Sequence, residues 1–221
     1  MSSTQTIAEQ VVTFNENIAT QAPAEVMARF AEEQNNLDAA GIPPGVAQSG
    51  TAIPDGDLLD VHGAATSLAK ARDGKPAVVV FYRGAWCPYC NIALRTYQEQ
   101  VVPVLAERGI ELVAVSPQKP DGSLSAKETN ELTFSVLSDP GNQLATALGI
   151  LTHPSDGVRE SQAAFGLDVA SGNSDGTANI PMPTTVLVDA DGTIRWIDVH
   201  PNYTTRTEPQ QILDAVASLL S

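Results

Sequence analysis

Hydrophobic positions divide the chain into a helical N-terminal segment and a longer segment that alternates strands with helices. In the first segment, apolar residues recur at helical spacing and fall on one face: Ile7, Val11, Phe14 and Ile18. A second helix is predicted to begin near Pro23 and to end at Gly41. Residues 1–41 are therefore predicted to form a helical extension, which either packs on the rest of the chain or forms a dimer contact.

Residues 42–56 are predicted to connect this extension to a domain that spans residues 57–221. The stretch 41–56 holds three prolines and four glycines, which is typical of an extended connection. Beyond it, the pattern predicts strands at residues 57–61, 78–81, 111–116 and 134–137 and a closing hairpin at residues 184–199. Helices are predicted at 67–71, from the cysteines to near Gly109, and at 123–132, 143–148 and 209–220, whereas residues 152–180 are expected to be irregular. This order predicts an α/β fold, a three-layer sandwich whose mixed central sheet is flanked by helices.

Both cysteines of the chain lie at one predicted strand-to-helix junction, in the stretch AVVVFYRGAWCPYCNIALRTY at residues 77–97. Cys87 is expected at the helix N-terminus, where backbone N–H groups and the helix dipole favour a thiolate, and Pro88 suits the first helical turn. Cys90 follows one turn later, within reach of a disulfide. The spacing therefore predicts a redox-active dithiol, with Cys87 as the attacking thiolate and Cys90 as the resolving thiol.

Composition and charge narrow the function classes. The net charge of −14 argues against binding to nucleic acid or to an anionic membrane surface. The N-terminus has no basic region followed by an apolar core, and no apolar run approaches the ~20 residues of a membrane helix. The cytoplasm is the expected location. A zinc site would need four ligands, and no second CxxC or closely spaced histidine pair accompanies the cysteines, so we expect neither a metal nor a cofactor.

Several motifs together resemble the peroxiredoxin-like, alkyl hydroperoxide reductase/thiol-specific antioxidant branch of the thioredoxin superfamily. They are FYRGAWCPYC, SPQKP after the next strand, LSD after the third, and PMPTTVLVDADGTIRW. The resemblance runs from about residue 52 to the C-terminus and implies a thioredoxin-like fold. It is a hybrid, because Trp86 before the first cysteine is similar to thioredoxins and Cys-Pro-Tyr-Cys is the glutaredoxin sequence.

The resemblance also implies a second assignment of the cysteine roles. Peroxiredoxins carry a Pro-x-x-x-Thr-x-x-Cys motif, and counting from Phe81-Tyr82 puts its proline on Arg83, its threonine on Cys87 and its peroxidatic cysteine on Cys90. The arginine that these proteins keep on a later strand falls on Pro183. Instead, Pro183 before Thr184 resembles the cis-proline that thioredoxins place opposite their CxxC, which would leave the backbone of Met182 free to pair with a substrate.

These observations favour an antioxidant oxidoreductase, a thiol-dependent peroxidase that cycles between a Cys87/Cys90 dithiol and a disulfide. Its expected partners are a hydroperoxide or disulfide substrate and an external thiol reductant, a thioredoxin-like protein or a low-molecular-weight thiol. Arg83 is expected to lower a thiol pKa or to hold an anionic group, and Trp86 and Tyr89 to wall the site. Two alternatives remain: a thioredoxin- or glutaredoxin-like disulfide reductase, and a redox-inert binding module that acts through its helical extension.

Overall fold

The computed structural model describes residues 5–219. Residues 1–4 of the predicted extension and residues 220–221 of the predicted domain lie outside that range. The helices are α1 (Ile7–Ala19), α2 (Ala24–Ala40), α3 (Leu68–Arg72), α4 (Pro88–Gln100), α5 (Val102–Glu107), α6 (Pro120–Thr129), α7 (Gln143–Ala147), α8 (Asp156–Ala164), α9 (Val169–Gly172) and α10 (Pro209–Leu219). The strands are β1 (Leu58–Leu59), β2 (Ala65–Thr66), β3 (Ala77–Phe81), β4 (Glu111–Ser116), β5 (Ser135–Ser138), β6 (Leu151–Thr152), β7 (Ile180–Pro181), β8 (Thr184–Val188) and β9 (Ile194–Val199).

A seven-stranded mixed sheet forms the centre of the fold, in the order β2-β1-β5-β4-β3-β8-β9. The neighbours β3, β4 and β5 run parallel, whereas β8 pairs antiparallel with β3 and β9 pairs antiparallel with β8. Strands β6 and β7 form a separate two-stranded sheet. The predicted α/β sandwich with a mixed sheet flanked by helices is confirmed.

Strand β3 is buried on both faces, as its unbroken apolar run predicts. Val78 and Val80 face the core that holds α4 and both cysteines, whereas Val79 and Phe81 face a second core on the other side of the sheet. The strand therefore fixes the segment that follows it, because its side chains have no freedom to shift register.

The structure differs from the sequence-based expectation at two helical regions. The single helix predicted to end near Gly109 is broken at Val101, because Pro103 lies in the first turn of α5 and has no N–H to continue the ladder of α4. The region 152–180 is not irregular throughout, since it contains α8 and α9. Helix α8 carries few apolar residues and packs on α2, so its stability comes from tertiary contacts that a sequence pattern does not show.

The extension lies against the dithiol side of the domain. Helix α1 packs on α4 and contributes Ile7 and Val11 to the core that holds the cysteines. Helix α2 packs on α8, and Arg29 of α2 forms an ion pair with Glu160 of α8. Among residues 5–219, no helix combines the length and the apolar character needed to cross a bilayer.

Candidate active site

The turn after β3 places both cysteines at the start of α4. Cys87 is the N-cap residue, Pro88 occupies the first turn of the helix, and Cys90 follows inside that turn. Gly84 makes the turn with a φ of 149°, and a Cβ at this position would lie 2.5 Å from Nε1 of Trp86. A side chain at position 84 would therefore displace the indole ring that precedes Cys87.

Both cysteines are free thiols and both are buried, but their surroundings differ. The Cys90 sulfur accepts hydrogen bonds from the backbone N–H of Arg83 at 3.4 Å and from Nη2 of Arg206 at 3.0 Å. The same Nη2 atom is 3.8 Å from the Cys87 sulfur. A negative charge is therefore better stabilised on the Cys90 sulfur than on the Cys87 sulfur, because two hydrogen-bond donors converge on Cys90.

The electrostatics place the thiolate on Cys90 rather than on Cys87. Burial by itself would raise the pKa of Cys90, but the hydrogen bond from Cys87, the charge of Arg206 and the Arg83 N–H hold that pKa well below its usual value. Burial raises the pKa of Cys87 well above its usual value, and the neighbouring Cys90 thiolate raises it further. This finding runs against the expectation of a Cys87 thiolate, which rested on the helix N-terminus. The Cys87 side chain makes no capping hydrogen bond to the N–H groups of α4, so it does not gain that stabilisation.

Arg206 is a site residue that the sequence did not reveal. It lies between β9 and α10, 116 residues beyond Cys90, and is almost fully buried. Its Nη1 donates to the carbonyl oxygens of Tyr203 and Thr205, both at 2.6 Å, which fixes the guanidinium with Nη2 directed at the sulfurs. No motif marks this arginine, since only the packing of a distant loop brings it to the dithiol.

Arg83 is packed against two aromatic rings beside the dithiol. Its guanidinium carbon lies 4.0 Å from the ring centre of Tyr203 and 5.0 Å from that of Trp86, so the cation is stacked between two aromatic faces. Its positive charge acts to lower the pKa of both cysteines, although burial outweighs this effect at Cys87, and its backbone N–H supplies one of the donors to Cys90.

An apolar pocket of ≈ 270 Å³ opens beside Cys87. Trp86, Tyr89 and Tyr203 wall it on the domain side, together with Pro88. The helical extension lines the opposite side with Phe14, Ile18, Ala22, Met27 and Phe30, and the end of the α8 region adds Phe165 and Leu167. The extension thus contributes directly to the surroundings of the dithiol.

Met182, Pro183 and Thr184 do not form the substrate-facing bend that the thioredoxin resemblance implies. Every peptide bond in the part of the chain that the structure describes is trans, including the one before Pro183. The Met182 N–H donates to the carbonyl of Ile150 at 2.7 Å, and its own carbonyl accepts the Thr184 hydroxyl at 2.9 Å. The backbone of Met182 is therefore engaged within the fold and is not free to pair with a substrate.

None of these three residues lines the pocket beside Cys87. Met182 and Pro183 line a small cleft with Arg83 and Tyr203, a cleft to which neither cysteine contributes. Thr184 is buried at the start of β8, where it pairs with Phe81 of β3. In residues 5–219 no cluster of three or more His, Cys, Asp or Glu side chains could hold a metal ion.

Comparison with known proteins assigns the family. The sequence profile of the AhpC/TSA family matches residues 49–197. The chloroplastic peroxiredoxin Q of Populus jackii is 26% identical over 171 residues, which are 77% of this chain and 67% of that protein. A Mycobacterium tuberculosis protein, provisionally named a peroxiredoxin, is 32% identical over 100 residues, which are 45% of this chain. The match spans 62% of that relative, which is less than two thirds of its length.

The fold comparison agrees with the sequence profile. The crystal structure of reduced Prx3 from Vibrio vulnificus in complex with H₂O₂ superposes with a TM-score of 0.62 at 18% identity, covering 77% of this chain and 99% of that one. The fold is therefore the thioredoxin-like fold of the peroxiredoxins, and the resemblance stated from the motifs is confirmed. The chain belongs to the AhpC/TSA family.

Proposed function

We propose that the protein is a thiol-dependent peroxidase that reduces hydroperoxides through a Cys87/Cys90 dithiol–disulfide cycle. The observation that carries this proposal is the Cys90 sulfur, which accepts two hydrogen bonds, one of them from the buried Arg206, with a second thiol beside it. A stabilised thiolate is the nucleophile that peroxide reduction needs, and the neighbouring thiol can close a disulfide before further oxidation. Family membership favours this function over a disulfide reductase and over a redox-inert module.

The proposed reaction has two steps. The Cys90 thiolate attacks the terminal oxygen of the hydroperoxide, the O–O bond breaks, and the alkoxide or hydroxide that leaves takes a proton from water. Cys90 is then a sulfenic acid. The Cys87 sulfur attacks it, the S–S bond forms, and the sulfenic hydroxyl leaves with the Cys87 proton as water. Two electrons pass from the dithiol to the peroxide in each cycle.

One observation favours the opposite order of attack. Cys87 lines the apolar pocket, whereas Cys90 does not, so a hydroperoxide that enters the pocket would meet Cys87 first. If the Cys87 proton passes to Cys90 on substrate entry, Cys87 becomes the nucleophile and the remaining steps are the same with the two sulfurs exchanged. The charge placement favours attack by Cys90, and the serine variants described in the Discussion separate the two orders.

The function is tested by stopped-flow mixing of the reduced protein with H₂O₂ and with cumene hydroperoxide. We expect the reaction to exceed that of free cysteine by about 100-fold or more at neutral pH, because positioned donors stabilise the developing charge. The same sample is assayed for reduction of insulin and of a glutathione mixed disulfide. Peroxide rates equal to that of free cysteine, together with efficient disulfide reduction, would reject the peroxidase in favour of the reductase.

The pocket predicts a preference for hydroperoxides with an apolar substituent. Replacing Ala22 with tryptophan fills the part of the pocket between α1 and α2, so the rate with cumene hydroperoxide should fall about tenfold, for a loss of ~1.4 kcal/mol of apolar contact. The rate with H₂O₂, which needs no such contact, should change little. Ala28→Trp on the exposed side of α2 is the matched control. An equal loss for both peroxides would show that the pocket does not select the substrate.

We further propose that an external thiol, from a thioredoxin-like protein or a low-molecular-weight thiol, reduces the disulfide in each cycle. The disulfide would form beside the pocket of ≈ 270 Å³ that Cys87 lines, and this pocket is the proposed route for the thiol. A cytoplasmic location and a homodimer contact through residues 1–41 stay predictions of the sequence.

A further inference from the structure

The N-terminus of α1 is held by a side chain from the opposite end of the chain. The two carboxylate oxygens of Glu208 accept the N–H groups of Ile7 and Ala8 at 2.9 and 2.8 Å. The Thr6 hydroxyl accepts the N–H of Glu9, so three N–H groups of the first turn have side-chain partners. A carboxylate is favoured at this end of a helix by the helix dipole. The contact therefore fixes α1 to the loop that precedes α10.

That loop also carries the arginine of the dithiol. Arg206 lies two residues before Glu208, and Thr207 between them is almost fully buried. The carbonyl of Thr207 accepts the Tyr97 hydroxyl at 2.7 Å, and its own hydroxyl donates to Asp198 at 2.8 Å. The segment 206–208 is thus held by α4, by β9 and by α1 at once, and its position decides where the Arg206 guanidinium points.

Helix α1 also contacts the other side of the dithiol. The Asn15 side-chain oxygen accepts the Tyr89 hydroxyl at 2.8 Å, and the Phe14 ring packs edge-on against Tyr89 at 5.4 Å. Ile7 at the start of the helix is almost fully buried in the same core as both cysteines. One helix therefore touches both the Arg206 segment and Tyr89, one of the two residues between the cysteines.

We propose that Glu208 is a positioning residue: by binding the N-terminus of α1, it holds Arg206 against Cys90. Helix α1 and Glu208 both lie outside residues 49–197, the part that matches the AhpC/TSA family, so the family match by itself does not supply this contact. The inference rests on the proposed thiolate at Cys90, but it does not depend on the identity of the oxidant.

Several titratable or charged groups lie near Arg206 and Cys90. Cys87 is the N-cap residue of the helix that holds Cys90, and Tyr82 and Arg83 follow β3. Tyr97 of α4 faces Arg206, and both Asp198 of β9 and Glu208 act on Tyr97. Burial raises the pKa of Tyr82 to about 12 and that of Tyr97 beyond the range in which the thiols titrate. Changes in the neutral range therefore report the thiols.

The test is a pH titration of the reduced full-length protein, followed by the ultraviolet absorbance of the thiolate. Glu208→Ala removes both acceptors, and Glu208→Gln keeps one carbonyl acceptor. We expect the thiolate midpoint to rise by about one pH unit in E208A, because Arg206 is no longer held at the sulfur, and by less in E208Q. Glu107→Ala, at the exposed end of α5, is the matched control and should leave the midpoint unchanged.

The rate of peroxide reaction supplies a second readout. At neutral pH the E208A rate should fall up to tenfold, and it should return to the wild-type rate at about pH 9 or above, where the thiol ionises without help. A loss that persists at high pH would mean general damage to the fold and would overturn the positioning role. So would an unchanged midpoint in both variants. If the wild-type protein fails as a peroxidase but the midpoint still shifts, the proposed function falls and the positioning role stands.

Discussion

Replacing Cys90 with serine should abolish the fast reaction with hydroperoxides, whereas replacing Cys87 with serine should preserve its first step. Cys90 is the sulfur on which Arg206 and the Arg83 N–H converge, so C90S removes the stabilised thiolate. We expect its peroxide rate to fall by about 100-fold or more, to that of an ordinary thiol. In C87S the serine hydroxyl can still donate to the Cys90 sulfur, and the thiolate should persist.

The product distinguishes the two variants as well as the rate. With no partner thiol, C87S should stop at a sulfenic acid on Cys90, which dimedone traps and mass spectrometry assigns to a peptide. Each variant has a single cysteine, so neither should form the Cys87–Cys90 disulfide that an external thiol reduces in the proposed cycle. The opposite pattern, a sulfenic acid on Cys87 in C90S and a silent C87S, would show that the pocket-facing sulfur attacks and that Cys90 resolves.

Replacing Arg206 with methionine should produce the second largest effect. The guanidinium is the closest cation to Cys90, so its loss should raise the pKa of that thiol by about 1–3 units. A higher pKa of the Cys90 thiol leaves less thiolate at neutral pH. The pH at which the peroxide rate rises should therefore move upward by the same amount. Arg206→Lys keeps a charge but cannot reach both carbonyls and the sulfur. The Cys90 pKa in this variant should therefore lie between those of the wild type and of Arg206→Met.

Arg206 should also set the redox potential of the dithiol. It stabilises the reduced, anionic form and loses this partner when the disulfide forms, so its removal should make the disulfide less oxidising. Each ~1.4 kcal/mol of lost stabilisation corresponds to a decrease of about 30 mV, measurable by equilibration with glutathione. The exposed Arg195 gives the matched control, Arg195→Met. An unchanged potential and pH profile in Arg206→Met would contradict its role.

The stability of this variant must be followed, because Arg206 also satisfies buried backbone groups. Methionine leaves the carbonyls of Tyr203 and Thr205 without their donor, at a cost of about 1–3 kcal/mol for the buried Tyr203 carbonyl and less for the partly exposed Thr205 carbonyl. Thermal unfolding in the reduced and oxidised states separates this cost from the redox effect, since only the redox effect depends on the oxidation state of the cysteines.

Local sequence determined the elements whose signals lie within a few residues. The apolar run of β3 predicts a strand buried on both faces, and Pro88 after Cys87 predicts the start of α4. The Ala190-Asp191-Gly192 turn predicts the β8–β9 hairpin. These signals suffice for the sandwich and for a dithiol at the strand-to-helix junction, because backbone propensity and periodicity act locally.

The tertiary structure alone decided which sulfur carries the charge and what surrounds it. The helix dipole favoured a thiolate on Cys87, whereas the peroxiredoxin resemblance placed the peroxidatic cysteine on Cys90. The structure favours Cys90, because the dipole acts weakly beside a guanidinium 3.0 Å from that sulfur. Arg206 reaches the site through the loop before α10, and Phe14 reaches it through α1. Charge and burial depend on neighbours that are distant in the chain, so the position of Arg206 and the chemistry that it sets follow from the packing of the folded chain.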